Sequence, residues 1–184
     1  QVMAKTLQDT DAGPDLRITV LEAMAASQLT PMPAMWQDAV LSQLSADDRI
    51  VRVALKALSQ LGKGQLTSPT IEQLQKIADH QGEQDPELRL QAINLVPVIS
   101  REMPPDVFEF VCSQLHLEHG LTNRSLAVDI LKSSPLDSAQ LQQVARQLPQ
   151  TGVMELRPLM DLFANSTDQQ VGAVLVASLL QAPA

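Results

Sequence analysis

Aromatic side chains are scarce in this sequence. They make up 2% of the residues: tyrosine is absent, and the only aromatic positions are Trp36, Phe108, Phe110 and Phe163. Hydrophobic residues nevertheless make up 45% of the chain, so the core has to be built from Leu, Val, Ile, Ala and Met. Because β-sandwiches favour aromatic and β-branched residues, this composition favours packed helices.

Positive charge is also in short supply. The chain has 13 Lys and Arg against 21 Asp and Glu, a formal net charge of −8, and the basic residues are scattered singly. Nucleic-acid binding depends on basic side chains that neutralise phosphates, and adsorption to anionic membranes depends on clustered basic residues. We therefore predict that neither a nucleic acid nor a membrane surface is the partner.

Cysteine and long apolar runs are nearly absent as well. Cys112 is the single cysteine, so an intramolecular disulfide is impossible and the redox compartment is left open. The longest near-continuous apolar run, 171–180, is far shorter than the roughly 20 residues of a membrane-spanning helix. We predict no membrane insertion. Since Gln1 already lies in a helical pattern, we expect the chain to be a segment of a longer protein.

A repeating unit is present instead. An acidic turn, a hydrophobic residue paired with Arg, and an Ala- and Leu-rich helix recur along the chain. The arginines that mark the units are spaced by 35, 37, 35 and 33 residues: Arg17, Arg52, Arg89, Arg124 and Arg157. A steady period near 35 with two helical segments per unit predicts stacked helical hairpins.

The flanking patterns support two helices per unit. Apolar residues at spacings of three and four mark the first helix of each unit, and most prolines fall between the predicted helices. Pro97 should end or kink the second helix of the third unit after Leu95. Pro158 lies inside the second helix of the fifth unit or else marks its first turn. A further helix is predicted at about 168–180. We predict an all-α chain, a right-handed α-α superhelix of about five hairpins and one extra helix, in a single domain over 1–184.

These repeats resemble HEAT repeats, most closely at 47–61 and 85–95. In that family the acidic residue and the Arg form a hydrogen-bonded ladder between stacked repeats. The resemblance implies a ladder of Arg17, Arg52, Arg89 and Arg124, with acidic partners drawn from a small set: Asp11 or Asp15, Asp47 or Asp48, and Asp85. Units four and five depart from the pattern, since His119 and Asn123 stand where the acidic residue before Arg124 is expected.

A narrower resemblance concerns the end of the chain. The stretches 156–163, 166–172 and 175–176 are similar to those of large bacterial proteins that join a sugar-dehydrogenase-like propeller, a HEAT segment and a c-type haem domain. That resemblance implies the middle segment of such a protein, in the periplasm or secreted. The haem-attachment pattern Cys-x-x-Cys-His is absent from this sequence, so no cofactor is assigned.

Two groups of residues could in principle bind a metal ion or act as a nucleophile. His116 and His119, with Glu118 between them, have a spacing that permits a shared metal ion, although the same residues also suit the solvated end of a helix near Leu117. Cys112 falls on the apolar face of a helix, which predicts a buried structural thiol, because a nucleophile needs an activating base. We predict no metal site and no catalytic residue.

The remaining candidates have structural interpretations. Five methionines suggest either an adaptable binding surface or core packing, and their helical spacing favours the core: Met24, Met32, Met35, Met154 and Met160. Trp36 is either an exposed anchor for a partner or partly buried over the preceding hairpin, and we predict partial burial. The acidic pair Asp47 and Asp48 lies in a turn, where solvation opposes the pKa shift that a general acid or base needs. No phosphate-binding loop, G-x-S-x-G or H-E-x-x-H motif is present.

The functional hypothesis is a non-catalytic scaffold. Stacked second helices would line a surface that binds a protein partner or packs on neighbouring domains of a longer chain. The alternative is a structural spacer within a multidomain redox enzyme. A HEAT-like enzyme acting on nucleic acid is disfavoured by the charge and by the few aromatics. The helix at 171–180 is apolar almost all round, which predicts that a neighbour covers it.

Overall fold

The computed structural model describes residues 2–27, 29, 31–61, 65–79, 85–96 and 103–181. Within them the chain is all-helical, with no strand and one isolated β-bridge, between His116 and Thr151. The chain folds as two compact units, Gln1–Pro97 and Val98–Ala184. The all-α prediction is confirmed, and the single-domain interpretation stays a prediction.

The first unit contains six helices. They are α1 (Val2–Gln8), α2 (Pro14–Ala26), α3 (Ala34–Leu41), α4 (Asp48–Ser59), α5 (Ser68–Asp79) and α6 (Pro86–Leu95). Consecutive helices pair as α1 with α2, α3 with α4, and α5 with α6. Alternate helices also pack on each other: α1 on α3 and α3 on α5 form one layer, and α2 on α4 and α4 on α6 form the other.

The helix boundaries in this unit follow from local chemistry. The carboxylate of Asp47 caps α4 by accepting from the backbone N–H groups of Arg49 and Ile50. Asp85 caps α6, and Pro86 occupies the first turn, where its missing N–H leaves no bond unmade. The helix ends at Leu95, as predicted, and Val96 is extended, as a residue before proline prefers. Pro97 itself lies outside the described residues.

The core of the first unit is a single aliphatic cluster. In α4, apolar residues at spacings of three and four are buried, whereas Asp48, Arg49, Lys56 and Ser59 are exposed. The cluster draws its fully buried Leu side chains from both layers, including Leu7, Leu21, Leu55, Leu74 and Leu88. Trp36 is half-buried and packs on the cluster from its margin, which confirms the prediction for this residue.

The second unit contains five helices among its described residues. They are α7 (Pro105–Ser113), α8 (Leu121–Ser133), α9 (Ser138–Gln147), α10 (Val153–Met160) and α11 (Gln169–Leu179). Helix α7 packs on α8, α8 on α10, and α9 on α11. Its core adds Phe108 and Phe163 to the aliphatic residues. Pro158 lies inside α10, one of the two places the sequence allowed, and α11 confirms the further helix.

Helices α9 and α11 are joined at their starts as well as along their sides. Asp137 and Gln140 form a capping box at α9, and Asp168, rather than the neighbouring Thr167, caps α11. Hydrogen bonds from the Ser138 side chain and from the backbone N–H groups of Gln170 and Val171 lower the pKa of the Asp168 carboxyl. The ionised carboxylate therefore stabilises the contact between the two helices.

We expect Asp168→Asn to make the free energy of unfolding depend less on pH in the acidic range. Because the folded-state pKa of Asp168 is lowered, its contribution is present above the unfolded value of about 3.9 and is lost as the pH falls through the folded pKa. The free energy of unfolding, from urea titrations followed by circular dichroism, should differ more between wild type and variant at pH 7 than at low pH. Asp129→Asn, on the exposed side of α8, controls for the loss of one charge. An equal difference at both pH values would contradict the assignment.

Candidate functional site

The repeat arginines have a shared local role. Arg17 donates from Nη2 to the carbonyls of Asp9 (3.0 Å) and Thr10 (3.2 Å), just after α1. Arg89 donates from Nε to the carbonyl of Ala78 (2.8 Å), at the end of α5. The last carbonyls of a helix lack partners within the helix. The second helix of each of these pairs therefore supplies an Arg that bonds to a carbonyl at the end of the first helix or in the turn just after it.

Arg52 reaches an acidic residue of the following helix pair. Arg52 of α4 forms an ion pair with Oδ2 of Asp85, whose Oδ1 accepts from the backbone N–H of Glu87 at the start of α6. This contact confirms the predicted ladder at Arg52 and Asp85. Both side chains are partly exposed, at 40% and 33%, so water screens the pair.

The ladder prediction is wrong at the first unit. Arg17 bonds to the turn carbonyls, and Oδ1 of Asp47 is occupied by the N–H groups of its own helix. The acidic residue that does reach across, Asp15, forms a long 3.6 Å ion pair with Arg49, and both of these side chains are largely exposed. Local capping of the turn and of the helix end therefore takes precedence over the ladder here.

Arg124 and Glu155 form the most buried ion pair among the described residues. Arg124 donates from Nε to Oε1 of Glu155 at 3.0 Å, and from Nη1 to the carbonyl of His119 at 2.7 Å. Their side chains are 15% and 3% exposed. Sequence reasoning missed Glu155 as a partner, although its distance of 31 residues from Arg124 resembles the 33 between Arg52 and Asp85.

The Glu155 carboxylate fits only because residue 152 is glycine. A Cβ placed on Gly152 would lie 2.2 Å from Oε2 of Glu155 and 3.4 Å from Cδ2 of Leu117. That same Oε2 is buried and has no hydrogen-bond partner in the structure. Gly152 therefore admits the carboxylate between the start of α10 and the turn after α7, and a side chain there would displace it.

The segment that contains His116 and His119 differs in structure from the prediction. Helix α7 ends at Ser113, not near Leu117, because the chain leaves the helix to form the bridge between His116 and Thr151. The Nε2 of His116 lies 2.9 Å from Oε1 of Gln147, and the Nε2 of His119 lies 3.6 Å from the exposed carboxylate of Glu118. His116, Glu118 and His119 are neighbours, but their side chains are not arranged to hold a metal ion together. In the described part of the chain, no group of three or more His, Cys, Asp or Glu side chains is so arranged.

Cys112 is buried, as predicted. Burial raises the pKa of its thiol to about 12, and the negative charge of Glu109 adds to this effect. The nearest sequence candidate for an activating base, His116, instead has its Nε2 beside Gln147. The thiolate that acts as a nucleophile or metal ligand is therefore strongly disfavoured here.

The methionine prediction is correct at two positions and wrong at two others. Met24 and Met32 are buried and belong to the core of the first unit. Met35 and Met154 are exposed and each lies in the first turn of its helix, whereas Met160 is half-buried. Exposed apolar residues also include Leu16 on α2, Val176 on α11 and Leu180, the residue that follows α11.

Comparisons of this chain with family models, with curated proteins and with solved structures found no match. Within the described ranges, no helix combines the length and the apolar character that crossing a membrane requires. The candidate sites therefore rest on the geometry of the described residues. That geometry contains ion pairs and turn bonds that join helix pairs, and exposed apolar residues on α2 and α11.

We expect Arg124→Ala to cost about 3–5 kcal/mol of unfolding free energy, because it leaves the buried charge of Glu155 unpaired. The matched change Arg52→Ala breaks a partly exposed pair and should cost no more than about 1 kcal/mol. Urea titrations followed by circular dichroism measure both values. The double change Arg124→Ala with Glu155→Ala should recover part of the loss. Equal losses for the two single variants would contradict the contrast in burial.

We expect the Cys112 thiol to be unreactive in the folded protein. At pH 8 a thiol with a pKa of about 12 is ionised to roughly one part in 10⁴, and the disulfide reagent DTNB reacts with the thiolate. The colour released over time measures the rate of reaction. Unfolding in urea should restore the rate of a free cysteine. A fast reaction in the folded state would show that the side chain is accessible and ionised.

Proposed function

We propose that the helix pairs stack as a right-handed α-α superhelix of the HEAT-repeat kind, and that the chain acts as a non-catalytic scaffold that binds a protein partner. The observation that carries this proposal is the layered packing of alternate helices. In the first unit α1, α3 and α5 form one layer and α2, α4 and α6 the other. Stacked hairpins with each helix type in its own layer are the packing on which α-solenoids are built.

Contacts between successive pairs support the same arrangement. The ion pair of Arg52 with Asp85 joins α4 to the start of α6, and that of Arg124 with Glu155 joins α8 to α10, at sequence separations of 33 and 31. Within two of the pairs, Arg17 bonds to a carbonyl of the turn after the first helix and Arg89 to a carbonyl at the end of the first helix. These polar contacts fix how one pair sits on another, while apolar burial supplies most of the stabilisation.

The layer of second helices is the surface we assign to a partner. Leu16 on α2 is an exposed large apolar residue in this layer, and Arg49 and Lys56 are exposed on the adjacent α4. A surface that mixes apolar and charged groups on rigid neighbouring helices suits recognition of a protein. The chain's net charge of −8 opposes recognition of a nucleic acid.

A photo-crosslinking amino acid at position 16 tests this function. In cells that produce the protein, we expect a discrete covalent adduct with another protein from position 16. The matched control is position 75 on α5, an exposed Gln in the opposite layer, which should give no such adduct. The adducts are resolved by electrophoresis and identified by mass spectrometry. The proposal fails if position 16 gives no adduct, or only the adducts that position 75 also gives.

A further inference from the structure

Four large apolar side chains are exposed where the turn after α7 meets the starts of α8 and α10: Leu117 (56%), Leu121 (50%), Val153 (61%) and Met154 (74%). The backbone N–H of Leu117 donates to the carbonyl of Gln150 at 3.1 Å, which holds this turn beside the residues that precede α10. Leu121 and Val153 are the first residues of α8 and α10, and these two helices pack on each other. We call the four residues the α8–α10 patch.

The segments that carry the patch are tied together by the ion pair of Arg124 with Glu155. Arg124 lies in the first turn of α8 and Glu155 in the first turn of α10, and Nε of Arg124 is 3.0 Å from Oε1 of Glu155. Nη1 of Arg124 also donates to the carbonyl of His119, in the turn after α7, at 2.7 Å. All three segments are therefore held in place before a partner arrives, which lowers the entropy cost of binding.

The starts of the second helices differ between the two units. In the first unit α4 and α6 begin with the carboxylate caps of Asp47 and Asp85. In the second unit α8 and α10 begin after Gly120 and Gly152, which supply no side-chain cap, and the first residue of each helix belongs to the α8–α10 patch. A polar cap would stabilise these helix starts. Exposed aliphatic residues at such positions are typical of a contact surface instead.

Charge indicates what this surface contacts. The segments that form the patch, 114–126 and 150–158, contain two acidic and two basic residues: Glu118, Glu155, Arg124 and Arg157. One acid and one base are largely buried and pair with each other. Glu118 and Arg157 are exposed, the first next to Leu117 and the second one helical turn after Val153. The patch therefore has an apolar centre and one exposed charge of each sign at its margin.

Such a patch is complementary to itself. A two-fold axis brings the same surface of two copies together, so that the acid of each copy faces the base of the other. A partner surface with charges of only one sign would instead meet a like charge at one margin. The net charge of −8 opposes association of two copies. Salt at 0.15 M screens charges that lie more than about 8 Å apart, whereas the close contacts of the patch are screened less.

We infer that two copies of the chain associate through the α8–α10 patch about a two-fold axis. The four apolar side chains are buried in the contact, and Glu118 of each copy lies beside Arg157 of the other. The patch is small beside the roughly 800 Å² per partner of a standard interface, so we expect a dissociation constant in the micromolar range. This inference goes beyond the scaffold function and does not depend on it, because the surface assigned to a protein partner lies on the first unit.

Sedimentation equilibrium of the purified chain, from about 1 to 300 μM, tests the inference. The weight-average mass should rise with concentration from 20.0 kDa toward twice that value. Met154→Glu places a charge in the apolar centre and should raise the dissociation constant at least about tenfold. Gln143→Glu, on the exposed side of α9, adds the same charge outside the patch and should change it little. A monomeric mass at every concentration, or equal effects of the two variants, overturns the inference.

Exchange of the two marginal charges tests the two-fold arrangement. Glu118→Arg and Arg157→Glu should each weaken self-association, because like charges then meet at both margins. An equimolar mixture of the two variants should dimerise as the wild type does, because both contacts between the unlike copies join an acid to a base. Glu118→Arg also reduces the net charge from −8 to −6, so general repulsion does not explain a weaker dimer. Circular dichroism checks that each variant is folded. Single variants that dimerise like the wild type, or a mixture that does not recover, overturn the inference.

Discussion

The structure depends on one constraint: a single pair of short helices cannot bury its own apolar face. Helices of 7 to 13 residues are marginal in isolation, and their stability has to come from packing on other helices. In the first unit each layer supplies that packing, because α3 lies between α1 and α5 and α4 lies between α2 and α6. Shared burial explains why an aliphatic composition with few aromatics suffices for the core.

The polar contacts restrict the register in which the helices pack, which the apolar contacts do not. Aliphatic side chains pack in many registers, whereas a guanidinium that must reach a carbonyl or a carboxylate permits few. Arg89 fixes its turn through the carbonyl of Ala78, and Arg124 combines both roles by bonding to the His119 carbonyl and to Glu155. The buried pair adds little net stability over an apolar equivalent. Its value lies in the register that it specifies.

The sequence predicted the helices better than it predicted their contacts. Periodicity and proline positions located the helices, and the break after Leu95 follows from a local rule. The ladder was correct at Arg52 and wrong at Arg17, because an Arg near a helix end has several acceptors within reach and only packing selects among them. Glu155 was missed because Gly152, three residues before it, creates the space for its carboxylate, and that space is visible only in three dimensions. Met35 and Met154 were misplaced because spacing alone does not say which side of a helix end has a neighbour.

The distribution of charge connects the fold to the proposed function. A net charge of −8 opposes association between copies of the chain, and it acts wherever charged side chains are exposed. Helix α11 carries no charged side chain, and no residue from Gln169 to Gln181 is charged. If core packing alone set the composition of this helix, Val171 and its flanking residues would suffice, and the outer side would be free to carry Gln and Arg as α9 does. The described contacts therefore do not account for the apolar residues at 173, 176 and 180.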